Sequence, residues 1–216
     1  MSAAPGAPHM QFAYRRSPDQ DAASPVSHPV VIVGAGPVGL ALAIDLAQRG
    51  VACVVLDDSD RIGDGSRAIC FAKKTLEIFD RLGVADAALQ KGVEWQVGKV
   101  FRGEQQLYRF DLLPERGHKM PAFINLQQYY AEEYLVRRAE ALGSVELRWR
   151  NRVVGIAPSI DHAVVTIETP EGPYRLRADW VIACDGARSA VRGLMGLEFR
   201  GEVFDDQFLI ADVKMT

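Results

Sequence analysis

Cysteine is scarce. The 216 residues hold three, Cys53, Cys70 and Cys184, far apart and with no C-x-x-C pair. That spacing argues against a disulfide framework and against a thiolate metal site. Cys53 and Cys184 lie inside apolar, strand-like runs, where buried structural thiols are expected. Long apolar runs are missing too. No stretch approaches the roughly 20 residues that span a bilayer, and the N-terminus lacks the apolar core of a secretory signal. There is no surplus of positive charge. Lys plus Arg number 25 against 28 Asp plus Glu, for a net charge of -3, which argues against non-specific nucleic-acid binding. The remainder, 48% hydrophobic and 25% charged, is the composition of a soluble globular protein of one large or two small domains. A reducing cytoplasm is its default compartment.

The chain is organised around Val30-Val31-Ile32-Val33-Gly34-Ala35-Gly36-Pro37-Val38-Gly39. Four β-branched residues run into a G-x-G-x-x-G turn. An apolar helix over 40–49 stops at Gly50, and a second strand over 52–56 ends on Asp57. This is the β-α-β pattern that holds a dinucleotide. Gly34 permits the tight turn, Gly36 lets a pyrophosphate approach the backbone, and Gly39 lets helix and strand pack closely. Pro37 suits an early helical position, where its missing N–H is not needed. The helix N-terminus offers free N–H groups to phosphates. Asp57, roughly 20 residues past the glycines, is placed to accept from ribose hydroxyls. An acid there disfavours the extra phosphate of NADP, and FAD and NAD both fit.

Residues 1–29, rich in Ala, Pro, Ser and Asp, read as a flexible arm. Its stretch Phe12 to Arg16 offers groups that could dock on the domain or a partner. A polar loop over 58–67 follows the second strand and closes on Arg67, before a helix over 71–82 that ends at Gly83. Such loops line the ligand crevice of parallel sheets, and an arginine there can bond phosphates; as a solvated loop charge it would do nothing. Residues 93–113 read as a hairpin leaving the nucleotide domain for a second sheet. Asn125 is a candidate cap for a helix that carries Gln127 in its first turn and ends at Gly143. Gln127 could reach a ligand or simply be exposed. A short strand over 145–147 leads to a β-meander at 152–157, 163–169 and 174–176. His162 falls in a turn and reads as solvated. A further buried strand over 179–184 ends in Asp185-Gly186, followed by a helix carrying Arg188, Ser189 and Arg192. A last strand is expected over 208–213.

Two motifs give the chain a resemblance to the class A flavoprotein monooxygenases, aromatic hydroxylases with the p-hydroxybenzoate hydroxylase fold. They are Gly34-Ala35-Gly36-Pro37-Val38-Gly39 and, more specific, Cys184-Asp185-Gly186-Ala187-Arg188-Ser189-Ala190-Val191-Arg192. Gly65-Ser66-Arg67-Ala68 and Gly196-Leu197-Glu198-Phe199-Arg200-Gly201 follow the same habit, and the chain is most similar to the hydroxyphenylpropionate and phenol hydroxylase branch. The resemblance covers 30–216. It implies an α/β fold: a Rossmann-like FAD domain of the glutathione-reductase type over 30–200, with a β-meander and with 93–113 reaching toward a substrate domain. The sheet of that second domain would begin over 201–216.

The same resemblance implies roles. Gly34 to Gly39 would cradle the pyrophosphate of FAD, and Asp57 would hold the adenosine ribose, where the family usually has Glu. Arg67 would contact FAD near the pyrophosphate and flavin, Gln127 the phosphate or ribityl region, and Val153 the adenine through its backbone. Asp185 would bond the ribityl chain, with Gly186 allowing close approach. NADH or NADPH would reduce the flavin, whose C4a-hydroperoxide would pass one oxygen of O2 to a phenolic ring. No metal is implied, no catalytic residue is assigned, and a homo-oligomer is left open. Such hydroxylases run to about twice this length or more, and their third FAD motif, a Gly-Asp followed by Ala and His and a Pro-rich loop, is not in the sequence. The resemblance therefore implies the N-terminal part of an enzyme, binding FAD poorly and inactive alone. The alternatives are an FAD- or NAD-dependent dehydrogenase or reductase, or a non-catalytic nucleotide-binding module. A short-chain dehydrogenase would need Tyr-x-x-x-Lys, which no tyrosine here supplies.

Overall fold

A computed structural model describes residues 10–63, 69–202 and 204–207. Its first strand, β1, is Val26–Val33, followed by helix α1, Pro37–Gln48, and strand β2, Cys53–Asp57. Next come β3 (Cys70–Ala72), α2 (Lys73–Leu82), α3 (Ala85–Lys91), β4 (Val93–Trp95), β5 (Val97–Arg102), β6 (Gln105–Asp111) and β7 (Phe123–Asn125). The described elements close with α4 (Gln128–Ala141), β8 (Val145–Trp149), β9 (Arg152–Pro158), β10 (Ala163–Glu168), β11 (Tyr174–Ala183) and α5 (Ala190–Leu194).

The main sheet has six strands in the order β8-β2-β1-β11-β10-β9. β8, β2, β1 and β11 are mutually parallel, and β11, β10 and β9 form an antiparallel meander. Val30 to Val33 are buried without interruption, as a parallel strand covered on both faces requires. Val30 and Ile32 join a core with Leu40, Ala43 and Ile44 of α1 and Leu135, Val136 and Ala139 of α4. Val31 and Val33 join a second core with Val153, Val165, Ile167 and Leu176 of the meander. The sheet therefore folds its meander back over the parallel strands, and the carboxyl ends of β1, β2 and β11 open between the two cores.

Several expectations shift. The arm expected over 1–29 is not free from Met10 onward. Phe12 stacks on Trp149, with ring centroids 4.0 Å apart. Ser17 and Gln20 form a capping box on a short 3-10 helix, Pro18–Asp21. β1 begins four residues before Val30 because Val26, Ser27 and His28 pair with β11. Pro29, which cannot donate, falls where β2 has not yet joined the strand. The helix expected from Phe71 starts at Lys73, because Cys70 to Ala72 pair with β7 instead. Asn125 likewise ends β7 rather than capping α4; its Oδ1 accepts from the Trp95 indole. α3 was not expected.

The runs expected at 174–176 and 179–184 are one strand. Leu176 and Ala178 are buried while Arg175 and Asp179 are exposed, a period-2 alternation that carries β11 from β10 onto β1. Its second half is not the buried strand expected: β10 pairs only up to Ala178, and Trp180 is 71% exposed. Within the 93–113 stretch a hairpin forms over 97–111, as the separate two-stranded sheet β5-β6, while Val93–Trp95 pair with β7 instead. The strand expected over 208–213 lies outside the described residues.

Candidate functional site

The glycines do three different jobs. Gly34 leaves β1 at φ +104°, and a Cβ there would lie 2.5 Å from the carbonyl oxygen of Cys184. A Cβ on Gly39 would lie 1.9 Å from the carbonyl oxygen of Gly34. Both positions are glycine because the chain itself passes too close. Gly36 differs: its φ is -74°, open to any residue, and a Cβ would meet nothing within 4 Å. The protein has no steric need of that glycine. It is the N-cap of α1, with Pro37 next and no side chain capping the helix, so the first-turn N–H groups face the opening.

Asp57 closes this turn from β2. Its Oδ2 accepts from the Ala35 N–H at 2.6 Å and its Oδ1 from the Ser59 N–H at 2.8 Å. Burial pushes the carboxyl above the usual range, with the two N–H bonds opposing. The Gly34-Ala35 turn is thus fastened to the acid expected beside a ribose. Across the opening, Asp185 follows β11. Its two oxygens accept from the Ser189 hydroxyl (2.6 Å) and the Val191 N–H (3.0 Å), and so cap the short α5. Gly186 has φ +77° with open space at its Cβ.

A cleft of about 540 Å³ runs along Gly34 to Val38 and is walled by Ser59, Arg61 to Gly63, Gln128, Glu132, Trp149 and Asp185-Gly186. It is lined again at Gly34, Asp57 and Asp185 by a smaller recess of about 140 Å³, which adds Asn151, Val153 and Arg188. The structure therefore gathers Gly34 to Val38, Asp57, Val153, Asp185 and Gly186, while Gly39 packs beneath the loop. Arg67 lies outside the described residues, as does the rest of Gly65-Ser66-Arg67-Ala68.

Gln127 is corrected. It is the exposed N-cap of α4, and Gln128 is the glutamine in the cleft wall. Gln128 donates to Glu132 Oε1 at 2.6 Å, while Glu132 Oε2 accepts the Gly63 N–H at 2.6 Å. Glu132 is only 3% exposed, so a buried carboxylate fixes both the glutamine and the loop after β2. The i,i+4 spacing of Gln128 and Glu132 was available in the sequence. Trp149, Asn151 and Arg188 were missed as site residues, and no local pattern marks the first two.

Among the described residues no three His, Cys, Asp or Glu are grouped to hold a metal ion, and no helix is long and apolar enough to cross a membrane. All three cysteines are free thiols, and burial pushes that of Cys53 up to about 11.

The sequence profile described as "FAD binding domain" matches residues 27–216. A flavin-dependent monooxygenase of Mycobacteroides abscessus is 33% identical over 86% of this chain and 41% of its own length. The para-nitrophenol 4-monooxygenase of a Pseudomonas strain is 34% identical over 85% of this chain and 46% of its own. The 3-(3-hydroxy-phenyl)propionate/3-hydroxycinnamic acid hydroxylase of Mycolicibacterium smegmatis is 31% identical over 88% and 34%. Among solved structures, the p-nitrophenol 4-monooxygenase of Pseudomonas putida superposes with a TM-score of 0.78 at 32% identity, over 84% of this chain and 46% of that one. The chain thus spans about a third to a half of the length of these relatives.

Proposed function

The chain belongs to the FAD binding domain family, its relatives are flavin-dependent aromatic monooxygenases, and on that premise we propose that it forms the FAD-binding part of an NAD(P)H-dependent hydroxylase of a phenolic ring. One observation carries the reading. Gly36 is a glycine that the protein's own packing does not require, and it faces open cleft at the N-terminus of α1. A pyrophosphate in contact with that backbone supplies the missing reason for it. The surroundings fit the rest of FAD. Asp57 keeps carboxylate lone pairs for the adenosine ribose beside Ala35. Val153 offers backbone to the adenine in the adjoining recess, where Arg152 and Arg188 set cations beside Asp57, Asp58 and Asp185. Gln128 takes the role expected of Gln127, held by Glu132 toward the phosphate and ribityl span. Asp185 and Gly186 face the ribityl chain, the acid fixed by Ser189 and Val191.

Bound FAD would supply the oxygen-activating chemistry, with NADH or NADPH as its reductant and O2 as co-substrate. The chain's own part is to bind, orient and exclude water. The FAD-binding unit would run from β1 to about residue 200, and β5-β6 would reach toward the ring-binding part. The phenolic substrate class follows the two relatives named for nitrophenol and hydroxyphenyl acids. The free thiols suit a cytoplasmic setting.

The test is a titration of the purified chain with FAD and separately with NAD+, followed by flavin fluorescence and calorimetry, with Gly36→Val beside the parent. Saturable FAD binding that the variant loses supports the reading. Preference for NAD+, or equal FAD binding by the variant, overturns it.

A further inference from the structure

The segment from Met10 to Asp21 supplies none of the residues assigned to the nucleotide, yet it touches the loop after β2 and the end of β8, both of which wall their cleft. We propose that it is a strap that positions the adenosine side of the FAD cleft, with Phe12 as its key. The proposal rests on the FAD reading above.

Three sets of contacts carry it. Phe12 lies flat on Trp149, the planes 4° apart, and Trp149 lines the cleft. Phe12 is therefore the backing of a cleft wall. The same stretch pairs with the loop after β2: the Phe12 N–H donates to the Asp60 carbonyl at 2.6 Å, Gln11 bridges Arg61, and the Ile62 N–H donates to Met10. Arg61, Ile62 and Gly63 line the cleft together with Gly36. Further along, Asp19 accepts from Arg148, whose other donors reach Glu146 and the Tyr174 hydroxyl. Tyr174 donates in turn to Asn151 Oδ1 at 2.8 Å, and Asn151 stands in the recess with Asp57 and Val153.

The strap is itself held at its far end. The Tyr14 hydroxyl donates to Gln20 and reaches Thr169, and Arg16 donates to Glu171 at 2.9 Å. It thus ties the loop after β2, the end of β8 and the β10-β11 turn to one another. Loops of this kind otherwise open locally at little expense of free energy. A ligand that must find them ordered binds more weakly by the fraction of time they are not. Phe12 is a positioning residue in this account, because it acts through Trp149 and the loop at 60–62.

The experiment compares FAD dissociation constants of the parent chain, Phe12→Ala and Phe12→Trp, each checked for fold by circular dichroism. A stacked aromatic pair is expected to be worth up to about a tenfold change in the constant. Phe12→Ala should weaken FAD by about that factor while the fold is kept, and Phe12→Trp should restore most of it. Hydrogen exchange at 59–63 and 149–151 should quicken in Phe12→Ala without FAD, and not at Val165 or Leu135. Unchanged affinity in Phe12→Ala, or exchange that quickens everywhere alike, overturns the strap and leaves the FAD reading intact. A parent that binds no FAD overturns both.

Discussion

Gly34 and Gly39 meet across the first turn of the fold so closely that a Cβ on Gly39 would stand 1.9 Å from the Gly34 carbonyl oxygen and 3.3 Å from the Cβ of Cys184. Strand β1, the N-terminus of α1 and the end of β11 converge on that point. Neither backbone can yield without moving a buried strand.

Gly39→Ala and Gly36→Ala should therefore behave oppositely. The first forces atoms into backbone and is expected to destabilise by about 3 kcal/mol or more. The second meets open space, and with a small loss at the helix cap offset by a stiffer unfolded chain it should change stability by less than about 1 kcal/mol. Yet Gly36→Ala should weaken FAD by about tenfold or more, because its methyl group stands where the pyrophosphate approaches. Thermal melts and FAD titrations of the two variants check both halves.

Gln128→Ala should weaken FAD several-fold, whereas Gln127→Ala should leave affinity and melting temperature unchanged. Gln128 faces the cleft on the leash of Glu132, and Gln127 is an exposed N-cap without a side-chain bond. A loss in Gln127→Ala equal to that in Gln128→Ala would contradict the assignment. The titrations that serve the glycine variants decide it.

That one-residue difference shows where a sequence stops being readable. The glycine turn, Asp57 and Asp185-Gly186 were legible because each is a local constraint: a positive φ, a strand end, a helix start. The Gln127-Gln128 pair was not, because successive residues on a helix point about 100° apart. The choice depended on whether β7 ended at Asn125, which its pairing with β3 and β4 decides. The strap was hidden for a related reason. Phe12 is meaningful only beside Trp149, and Asp19 only beside Arg148, partners that the fold alone brings near. β11 was legible in its alternation and was split by its Arg and Asp residues, which face outward.

FAD affinity should fall on acidification earlier than an ordinary carboxylate would make it fall. Burial holds the Asp57 carboxyl above the usual range despite the N–H groups of Ala35 and Ser59. A raised value means that the folded chain takes up the proton first as pH drops, and a protonated Asp57 loses acceptor strength toward ribose hydroxyls. For stability the sign is the reverse: the raised value makes the ionised carboxyl a burden that grows as pH rises through it. Asp57→Asn should bind FAD more weakly at neutral pH and show a flatter pH dependence. Dissociation constants measured from about pH 4 to 8 test this, and a variant that follows the parent's pH profile would remove Asp57 from the site.

The ion pair that anchors the strap should give way in acid. The Arg148 side chain is 4% exposed and that of Asp19 13%. Burial alone would push the Asp19 carboxyl up, but Arg148 and His28 outweigh it and hold the carboxyl below its usual range. A depressed carboxyl stabilises the fold fully above its unfolded value and loses that contribution as pH falls through the folded one. The melting temperature should accordingly hold at neutral pH and drop below about pH 4. Asp19→Asn should melt about 4 °C lower than the parent at pH 7, the scale expected for a hydrogen bond to a charged group in a chain of this size. The gap should close as the parent loses its own charge in acid. Arg148→Met leaves Asp19 with the His28 ring alone and should cost about 3 kcal/mol. Since Arg148 also reaches Asn151 through Tyr174, that variant should weaken FAD beyond what Asp19→Asn does. Melts from pH 3 to pH 7, with FAD titrations at pH 7, separate the two contributions. A constant gap between Asp19→Asn and the parent over that range would show that the carboxylate charge is not what holds the strap.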